Sequence, residues 1–325
     1  MRRRERRAAD QRFRVAERNA YAAYGAHPQE QVVEVATPTG TVPVRVLVVD
    51  GPDDAPPVLL LHGITSATVL AAPLLPALRG RKVYAVDWPG HGLSGPSVIH
   101  FRTAFRAYAV QTLLSLLDEL DLTTVDLVGH SLGAQISLYG ALTQDSRNRR
   151  VVLLGAPGAS LEGTRPLTVM KLLALPRVGE KLLRVPQSER TFAQGNDMAL
   201  GAGALDGVPQ DMVTALQLIA GRRSNASSLA AFFRSLIKRG SLRAGVPIAA
   251  AELAQVHRPV LLVWGEEDSF LTPTSAARSI ALLPDAQLVR VTGAGHAPWL
   301  QDPELVSTSI TDHLNVPHPT QGVVS

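Results

Sequence analysis

The 325-residue sequence contains no cysteine. Without thiols the chain has no cysteine nucleophile, no thiolate metal site, no iron–sulfur cluster and no disulfide. Long hydrophobic runs are also missing, since no apolar stretch reaches the ~18 residues that a membrane-spanning helix needs. Hydrophobic residues make up 46% and charged residues 18% of the chain, which is typical of a globular protein and excludes a chain that is disordered throughout.

Charge is concentrated at one end of the sequence. The net charge is +4, from 32 basic and 28 acidic residues. Residues 1–18 contain eight arginines and three acidic residues and carry +5, which leaves the remaining chain at −1. Enzymes that act on nucleic acids usually carry a basic patch on the body of the fold, so this balance argues against a nucleic-acid partner.

The arginine-rich segment is predicted to be a helix. Phe13, Ala16, Ala20 and Tyr24 recur at helical spacing, and Gly25 provides a stop. We expect a solvated, partly frayed helix that packs one aromatic edge on the body, and docking to a subunit or to an anionic membrane surface is the alternative. No apolar stretch of the kind found in secretory signals follows the arginines, so we expect a cytoplasmic protein without stable membrane insertion.

Strand and helix patterns alternate along the rest of the chain. Eight apolar runs have the length and spacing of strands: 31–36, 42–49, 58–61, 82–86, 125–128, 151–154, 260–264 and 287–291. Helical periodicity follows several of them, over residues 70–78, 105–120, 132–142, 274–283 and 303–314. The alternation predicts an α/β protein with a mostly parallel eight-stranded sheet flanked by helices, and the first two strands form an antiparallel edge.

The alternation stops between Pro157 and Val256. No clear strand is visible there, and short helical patterns are separated by prolines. We therefore predict a helical cap inserted after the sixth strand, and because a parallel sheet needs no such insertion, the cap is a candidate binding element. The predicted division is an N-terminal helix at 1–25, a core at 26–156 and 258–316, a cap at 157–257 and a tail at 317–325.

One pentapeptide indicates nucleophilic catalysis. Strand 125–128 leads directly into Gly129-His130-Ser131-Leu132-Gly133, and a helix follows. This G-x-S-x-G pattern between a strand and a helix places a serine on a tight, strained turn with its hydroxyl exposed. The glycines are needed because side chains there would collide with neighbouring backbone, and the start of the helix favours a developing oxyanion.

A serine hydroxyl needs a base, and the base needs an orienting acid. His296 is the best candidate base because it lies in a glycine-rich turn after strand 287–291, at the sheet edge where ligands bind in open α/β folds. Asp268 is the preferred acid in the loop after strand 260–264, and Glu266 or Glu267 is the alternative. All three groups, Ser131 included, follow predicted strands.

With these residues the sequence resembles the α/β-hydrolase fold family. Four motifs carry the resemblance, in order along the chain: Leu59–Ile64, Asp87–Ser94, Trp264–Asp268 and Gly295–Pro298. The match covers about residues 31–155 and 258–315. It implies the α/β-hydrolase fold and an oxyanion hole formed by the backbone N–H groups of Ile64 and Leu132. The cap matches no pattern in that family that we can name.

The triad and the resemblance together predict a serine hydrolase that cleaves a carboxylic ester or lactone through an acyl-enzyme. The cap is rich in Leu, Ala and Val, so we expect the substrate to be small and mainly apolar. Because the nucleophile is serine, epoxide hydrolysis and dehalogenation, which use an aspartate there, are disfavoured. Two alternatives stay open. The same triad could hydrolyse a C–C bond or transfer the acyl group to an acceptor other than water, and the fold could instead belong to a non-catalytic ligand-binding protein.

The predicted chemistry also indicates which partners and cofactors to expect. The chemistry needs a small-molecule substrate and requires neither a metal nor an organic cofactor. His62, His91 and His130 flank the motifs, but no carboxylate or cysteine spacing beside them supports a metal site. Homodimer formation is left open.

Overall fold

The computed structural model describes residues 2–97, 99, 104–143 and 145–316. The predicted tail at 317–325, with His318, and the histidine at position 100 lie outside these residues. The described chain forms ten strands: β1 (Gln29–Thr37), β2 (Gly40–Val49), β3 (Val58–Leu61), β4 (Val83–Val86), β5 (Val125–His130), β6 (Asn148–Leu154), β7 (Ile237–Lys238), β8 (Ser241–Leu242), β9 (Val260–Gly265) and β10 (Ala286–Val291).

Helices separate most of these strands. In the described part of the chain they are α1 (Arg2–Ala23), α2 (Phe105–Glu119), α3 (Leu132–Ala141), α4 (Thr168–Leu173), α5 (Val178–Leu182), α6 (Glu189–Leu200), α7 (Gln210–Ala220), α8 (Ala226–Leu236), α9 (Ala250–Leu253), α10 (Ala277–Ile280), α11 (Pro298–Gln301) and α12 (Pro303–Asn315). Two segments, Thr68–Leu78 and Arg223–Asn225, are 3-10 helices.

Eight strands form one sheet in the order β1-β2-β4-β3-β5-β6-β9-β10. β1, β2 and β4 pair antiparallel, and every later pair in the sheet is parallel. The predicted fold class is therefore confirmed, with all eight predicted strands in place. Helices α4 to α9 and the hairpin β7–β8 lie between the sixth strand and β9, where the insertion was predicted.

Alternate side chains of the central strands enter two different cores. In β3, Leu59 and Leu61 pack into one core, and Leu60 packs into the other. α2 and α3 cover the first face, whereas α1, the 3-10 helix at 68–78 and α12 cover the second. Because both faces are covered, the parallel strands β3 and β9 consist of wholly buried apolar residues rather than alternating ones.

Three local predictions need correction. The segment from Pro157 to Val256 does contain strands, because β7 and β8 pair around Arg239 and Gly240, which both have positive φ. Such hairpin turns favour Asn-Gly or Asp-Gly, so Arg-Gly is a weak signal. The helix expected at 274–283 is limited to α10, and the one expected near 70–78 is a 3-10 helix, in which two prolines remove backbone donors.

α1 is less solvated than predicted. Phe13, Ala16 and Ala20 are buried as expected, but so are Tyr21 and the charged Glu17. The helix packs on α7 and on the 3-10 helix at 68–78, so its second half is part of the body. In the chain that the structure describes, no helix combines the length and the apolar character needed to cross a bilayer.

Candidate active site

Ser131 lies on the turn between β5 and α3. Its backbone has φ 52° and ψ −112°, a left-handed conformation that strains a residue with a Cβ. The two motif glycines make the turn possible. A Cβ on Gly129 would lie 2.4 Å from backbone atoms of Gly133, and one on Gly133 would lie 2.1 Å from the carbonyl oxygen of Leu61 in β3. The sequence motif therefore folds as a tight strand–turn–helix junction with the serine at its apex.

His296 and Asp268 meet beside this turn, although they follow different strands. His296 Nδ1 donates a hydrogen bond to Asp268 Oδ2 across 2.7 Å. The same carboxylate accepts from the backbone N–H groups of Ala156, at 2.8 Å, and Phe270, at 2.9 Å. Burial would raise the pKa of Asp268, but the electrostatic attraction of His296 and the hydrogen bonds from its ring and from the two backbone N–H groups outweigh burial and hold the pKa below its usual value.

The two other acidic residues of this loop are placed differently. Glu266 and Glu267 are exposed, whereas Asp268 is buried. Only Asp268, among these three, makes a hydrogen bond to the imidazole. The geometry therefore favours the predicted acid over both alternatives.

The second ring nitrogen of His296, Nε2, is free to act as a base. Nε2 is buried and has no hydrogen-bond partner among the described residues. Ser131 and His296 line the same cavity, so an unpartnered acceptor and a hydroxyl face one ligand space. With Nδ1 donating to Asp268, Nε2 is left as the basic nitrogen, the tautomer that a general base needs. The hydrogen bond between a catalytic hydroxyl and its base often forms fully only when substrate binds.

The loop after β3 lies directly against the serine. A Cβ on Gly63 would lie 2.9 Å from His130 Nδ1 and 3.2 Å from the Ser131 Cβ, so a larger residue here would push against the turn. Gly63 and Ile64 line the cavity together with Ser131. Leu132 is the first residue of α3, and an N–H in the first turn of a helix has no intrahelical acceptor. Both residues implied as oxyanion donors therefore stand next to the nucleophile.

The histidines that flank the motifs have structural contacts. His62 Nδ1 donates to the carbonyl of Gly63 at 2.7 Å, and its Nε2 accepts from the N–H of Trp88 at 3.1 Å. His130 Nε2 donates to the carbonyl of His296 at 3.1 Å. Burial lowers the pKa values of both His62 and His130, which favours their neutral forms. The described residues contain no cluster of three or more side chains suited to a metal.

Two residues that sequence reasoning did not assign to the site complete the surroundings of the base. The centroid of the His296 ring lies 4.8 Å from the centroid of the His130 ring and 4.3 Å from that of the Phe270 ring. His130 was visible in the motif, and Phe270 follows the acid by two positions. No spacing rule indicated that either ring would contact the base, because the contacts join segments distant in the chain.

A cavity of about 280 Å³ opens above these groups. Its walls come largely from the insertion and are mainly apolar: Leu167, Val169, Met170, Leu173, Leu183, Phe192, Met198, Ala199, Leu200, Leu216, Ile219, Ala220, Leu229, Phe233 and Phe270. Thr65, Ser66, Gln187 and Asn196 add neutral polar groups. No Lys, Arg, Asp or Glu lines this cavity in the part of the chain that the structure describes. The space fits a small, uncharged, mainly apolar molecule.

Comparison with known proteins gives a family and a fold. The model of the alpha/beta hydrolase family matches residues 58–308. An uncharacterized hydrolase of Bacillus subtilis is 27% identical over 257 residues, which is 78% of this chain and 88% of that protein. A 2-hydroxy-6-oxononadienedioate/2-hydroxy-6-oxononatrienedioate hydrolase of Cupriavidus pinatubonensis is 30% identical over 230 residues, which is 68% of this chain and 71% of that protein.

A solved structure agrees with these matches. The crystal structure of a carboxylesterase from Bacillus subtilis superposes with a TM-score of 0.69 at 22% sequence identity. The superposition covers 95% of this chain and 99% of the esterase. At this identity the likeness shows the fold, and the fold includes the region of the insertion.

Proposed function

Because the chain belongs to the alpha/beta hydrolase family and is a hydrolase, we propose that it cleaves small, mainly apolar carboxylic esters or lactones. The proposed nucleophile is Ser131, the base His296 and the orienting acid Asp268. The observation that carries the proposal is the hydrogen bond from His296 Nδ1 to Asp268 Oδ2, with Nε2 left unpartnered in the cavity that Ser131 lines.

In the first half-reaction, Ser131 Oγ attacks the ester carbonyl and passes its proton to His296 Nε2. The N–H groups of Ile64 and Leu132 stabilise the tetrahedral oxyanion, and each such donor is typically worth ~10²–10³ in rate. The C–O bond to the alcohol then breaks, and His296 returns its proton to the leaving oxygen. An ester of Ser131 with the acyl group remains.

In the second half-reaction, water attacks this acyl-enzyme while His296 takes one of its protons. Collapse of the second tetrahedral intermediate releases the acid and returns the proton to Ser131. Asp268 keeps Nδ1 protonated and stabilises the imidazolium in both halves, which its lowered pKa permits because the carboxylate stays ionised.

The cavity favours an uncharged substrate over a diacid. The relative from Cupriavidus pinatubonensis is named for a dioate, a molecule with two carboxylates, and is 30% identical to this chain. Recognition of buried carboxylates normally uses arginine or lysine. The described lining of this cavity offers neither, so hydrolysis of a C–C bond in such diacids is the second candidate rather than the first.

Covalent labelling tests the nucleophile. The purified protein is treated with a fluorophosphonate and its intact mass is measured, beside Ser131→Ala and Ser66→Ala. Ser66 is the matched control because it lines the same cavity. We expect one adduct on the unmodified protein and on Ser66→Ala, and none on Ser131→Ala. An adduct of equal yield on folded Ser131→Ala would overturn the assignment.

Turnover separates the candidate reactions. The same preparations are assayed with p-nitrophenyl esters of increasing chain length and with a 2-hydroxy-6-oxo-dienoate. We expect hydrolysis of short, neutral esters and little of the dienoate. The reverse preference would favour the C–C hydrolase, and labelling without turnover of either class would favour transfer to another acceptor.

A further inference from the structure

An exposed apolar surface lies on the insertion. Twelve large hydrophobic residues of the described chain are exposed, and six of them fall within 17 consecutive positions. These six, which we call the α4–α5 patch, are exposed by 41–59%: Val169, Leu172, Leu175, Val178, Leu182 and Val185. A concentration of this kind on a short segment usually marks an interaction surface.

The patch is held in place by the fold. α4 and α5 pack on each other and on α8. A Cβ on Gly179 would lie 1.9 Å from the carbonyl oxygen of Leu173, so the two helices touch through their backbones. Ser227 of α8 donates to Glu180 across 2.7 Å. The apolar side chains are therefore displayed outward by a packed element.

Basic residues alternate with the patch residues along this segment. Residues 168–185 contain four basic side chains and one acidic side chain, a net charge of +3, and all four basic residues are exposed: Lys171, Arg177, Lys181 and Arg184. Arg184 pairs with Glu180 at 2.6 Å. Across the described residues the other three make no ion pair within 4.0 Å. Outward apolar side chains among unpaired cations are typical of an element that binds an anionic lipid interface.

The same segment forms one wall of the catalytic cavity. Val169 belongs to the α4–α5 patch and also lines the cavity, next to Leu173 and Leu183. Met198, another lining residue, is 50% exposed. Lining residues with this much exposure place a mouth of the cavity beside the patch.

We propose that the α4–α5 patch docks on the surface of an anionic phospholipid bilayer. This is a peripheral contact, in which short apolar side chains enter the headgroup region and the cations meet lipid phosphates. A second copy of the chain fits the patch less well, because a two-fold contact would place the net +3 of one patch against that of the other. An anionic surface matches both the apolar residues and the charge.

Docking would bring the cavity mouth to the lipid interface. In this part the inference rests on the proposed function, and it narrows the substrate class to esters that partition into membranes. Such a substrate would pass from the bilayer along Val169 and Leu173 to Ser131. The surface contact itself does not depend on catalysis and is measured without it.

Vesicle sedimentation tests the contact. The unmodified protein is centrifuged with vesicles of phosphatidylcholine and phosphatidylglycerol, and with vesicles of phosphatidylcholine alone. We expect clear binding to the anionic vesicles and little to the neutral ones. Lys171→Gln with Lys181→Gln should weaken binding by about 25-fold, since each cation at an anionic surface contributes roughly fivefold.

The apolar part has a matched control. Leu172→Ser with Leu182→Ser should weaken vesicle binding by about tenfold or more, because it removes exposed apolar area that would enter the headgroup region. Neither leucine lines the cavity. Val32→Ser with Val316→Ser removes two valines that are 58% and 51% exposed elsewhere and should leave binding unchanged. Both pairs should hydrolyse a water-soluble ester at the unmodified rate, which separates failure of docking from failure of the proposed function.

Three results would overturn the proposal. The first is absence of binding by the unmodified protein to anionic vesicles. The second is an equal loss of binding in the control pair. The third is a dimer in sedimentation velocity that Leu172→Ser with Leu182→Ser dissociates, since a second copy would then cover the patch.

Discussion

Arg45 is a buried arginine that pairs with several carboxylates outside the active site. Its replacement by methionine should destabilise the fold severely. The side chain is 3% exposed and contacts three carboxylates. It donates to Glu17 of α1, to Asp87 across 3.0 Å and to Glu30 across 2.9 Å. Glu17 and Asp87 are themselves 2% and 0% exposed, so the arginine is the cation that two buried carboxylates share.

The structure predicts an asymmetry between the partners. Arg45→Met strands both buried carboxylates, and breaking a buried pair in this way costs about 3–5 kcal/mol. Glu17→Gln leaves Arg45 with Asp87 and Glu30, and the amide can still accept a hydrogen bond, so we expect a loss of about 1–2 kcal/mol. Arg14→Met is the matched control: Arg14 also binds Glu30, but at an exposed site, where such pairs contribute about 0–1 kcal/mol.

Urea unfolding followed by tryptophan fluorescence measures these free energies, since Trp88 adjoins Asp87 in the chain. The pH dependence adds a second test. In Arg45→Met the stranded carboxylates have raised pKa values in the fold, so their unfavourable contribution is present at neutral pH and decreases as pH falls through those values. Equal losses for Arg45→Met and Glu17→Gln at neutral pH, or a deficit that does not shrink in acid, would refute the reasoning.

Three further outcomes are expected. Asp268→Asn should lower kcat by roughly 10³–10⁴-fold in ester hydrolysis, whereas Glu266→Gln should leave it unchanged; similar effects would mean that the acid is misassigned. Gly133→Ala should lose more than about 3 kcal/mol in urea unfolding, while Gly195→Ala, with open space at its Cβ, should gain roughly 0.5–1 kcal/mol. Burial lowers the pKa of His91 to about 3, so its NMR signals should not titrate between about pH 5 and 8.

The sheet and the turn at Ser131 could be predicted because their signals are local. A buried parallel strand is a short apolar run such as Val58–Leu61, and the turn needs glycines at fixed spacing, which the close contacts of Gly129 and Gly133 explain. The bond between Asp268 and His296 could be predicted only as a choice among three acids. Asp268 is the buried one of the three, and its carboxylate accepts hydrogen bonds from the backbone N–H groups of Ala156 and Phe270. The contact with Ala156 joins segments that are distant in the chain.

Other features depend on contacts between distant segments and carry no local signal. The burial of Glu17 follows from an arginine in β2, and the pairing of Arg222 with Asp10 joins the insertion to α1. The α4–α5 patch is apolar in sequence, and periodicity alone favours packing those residues inward. Whether an apolar helix faces the core or the solvent is decided by which neighbours the insertion brings to it.

The docking of α1 also has a consequence for the order of folding. Arg222 of the insertion donates to Asp10 across 3.0 and 3.1 Å, and the two residues are 212 positions apart in the chain. On the ribosome, α1 is therefore synthesised long before the helix α7 that covers it, and forming this contact requires closure of a very long loop. Until then the part of its apolar face that packs on α7 has no partner, although the 3-10 helix at 68–78 is already present. A nascent or truncated chain without residues 210–222 therefore exposes that part to chaperones and to aggregation.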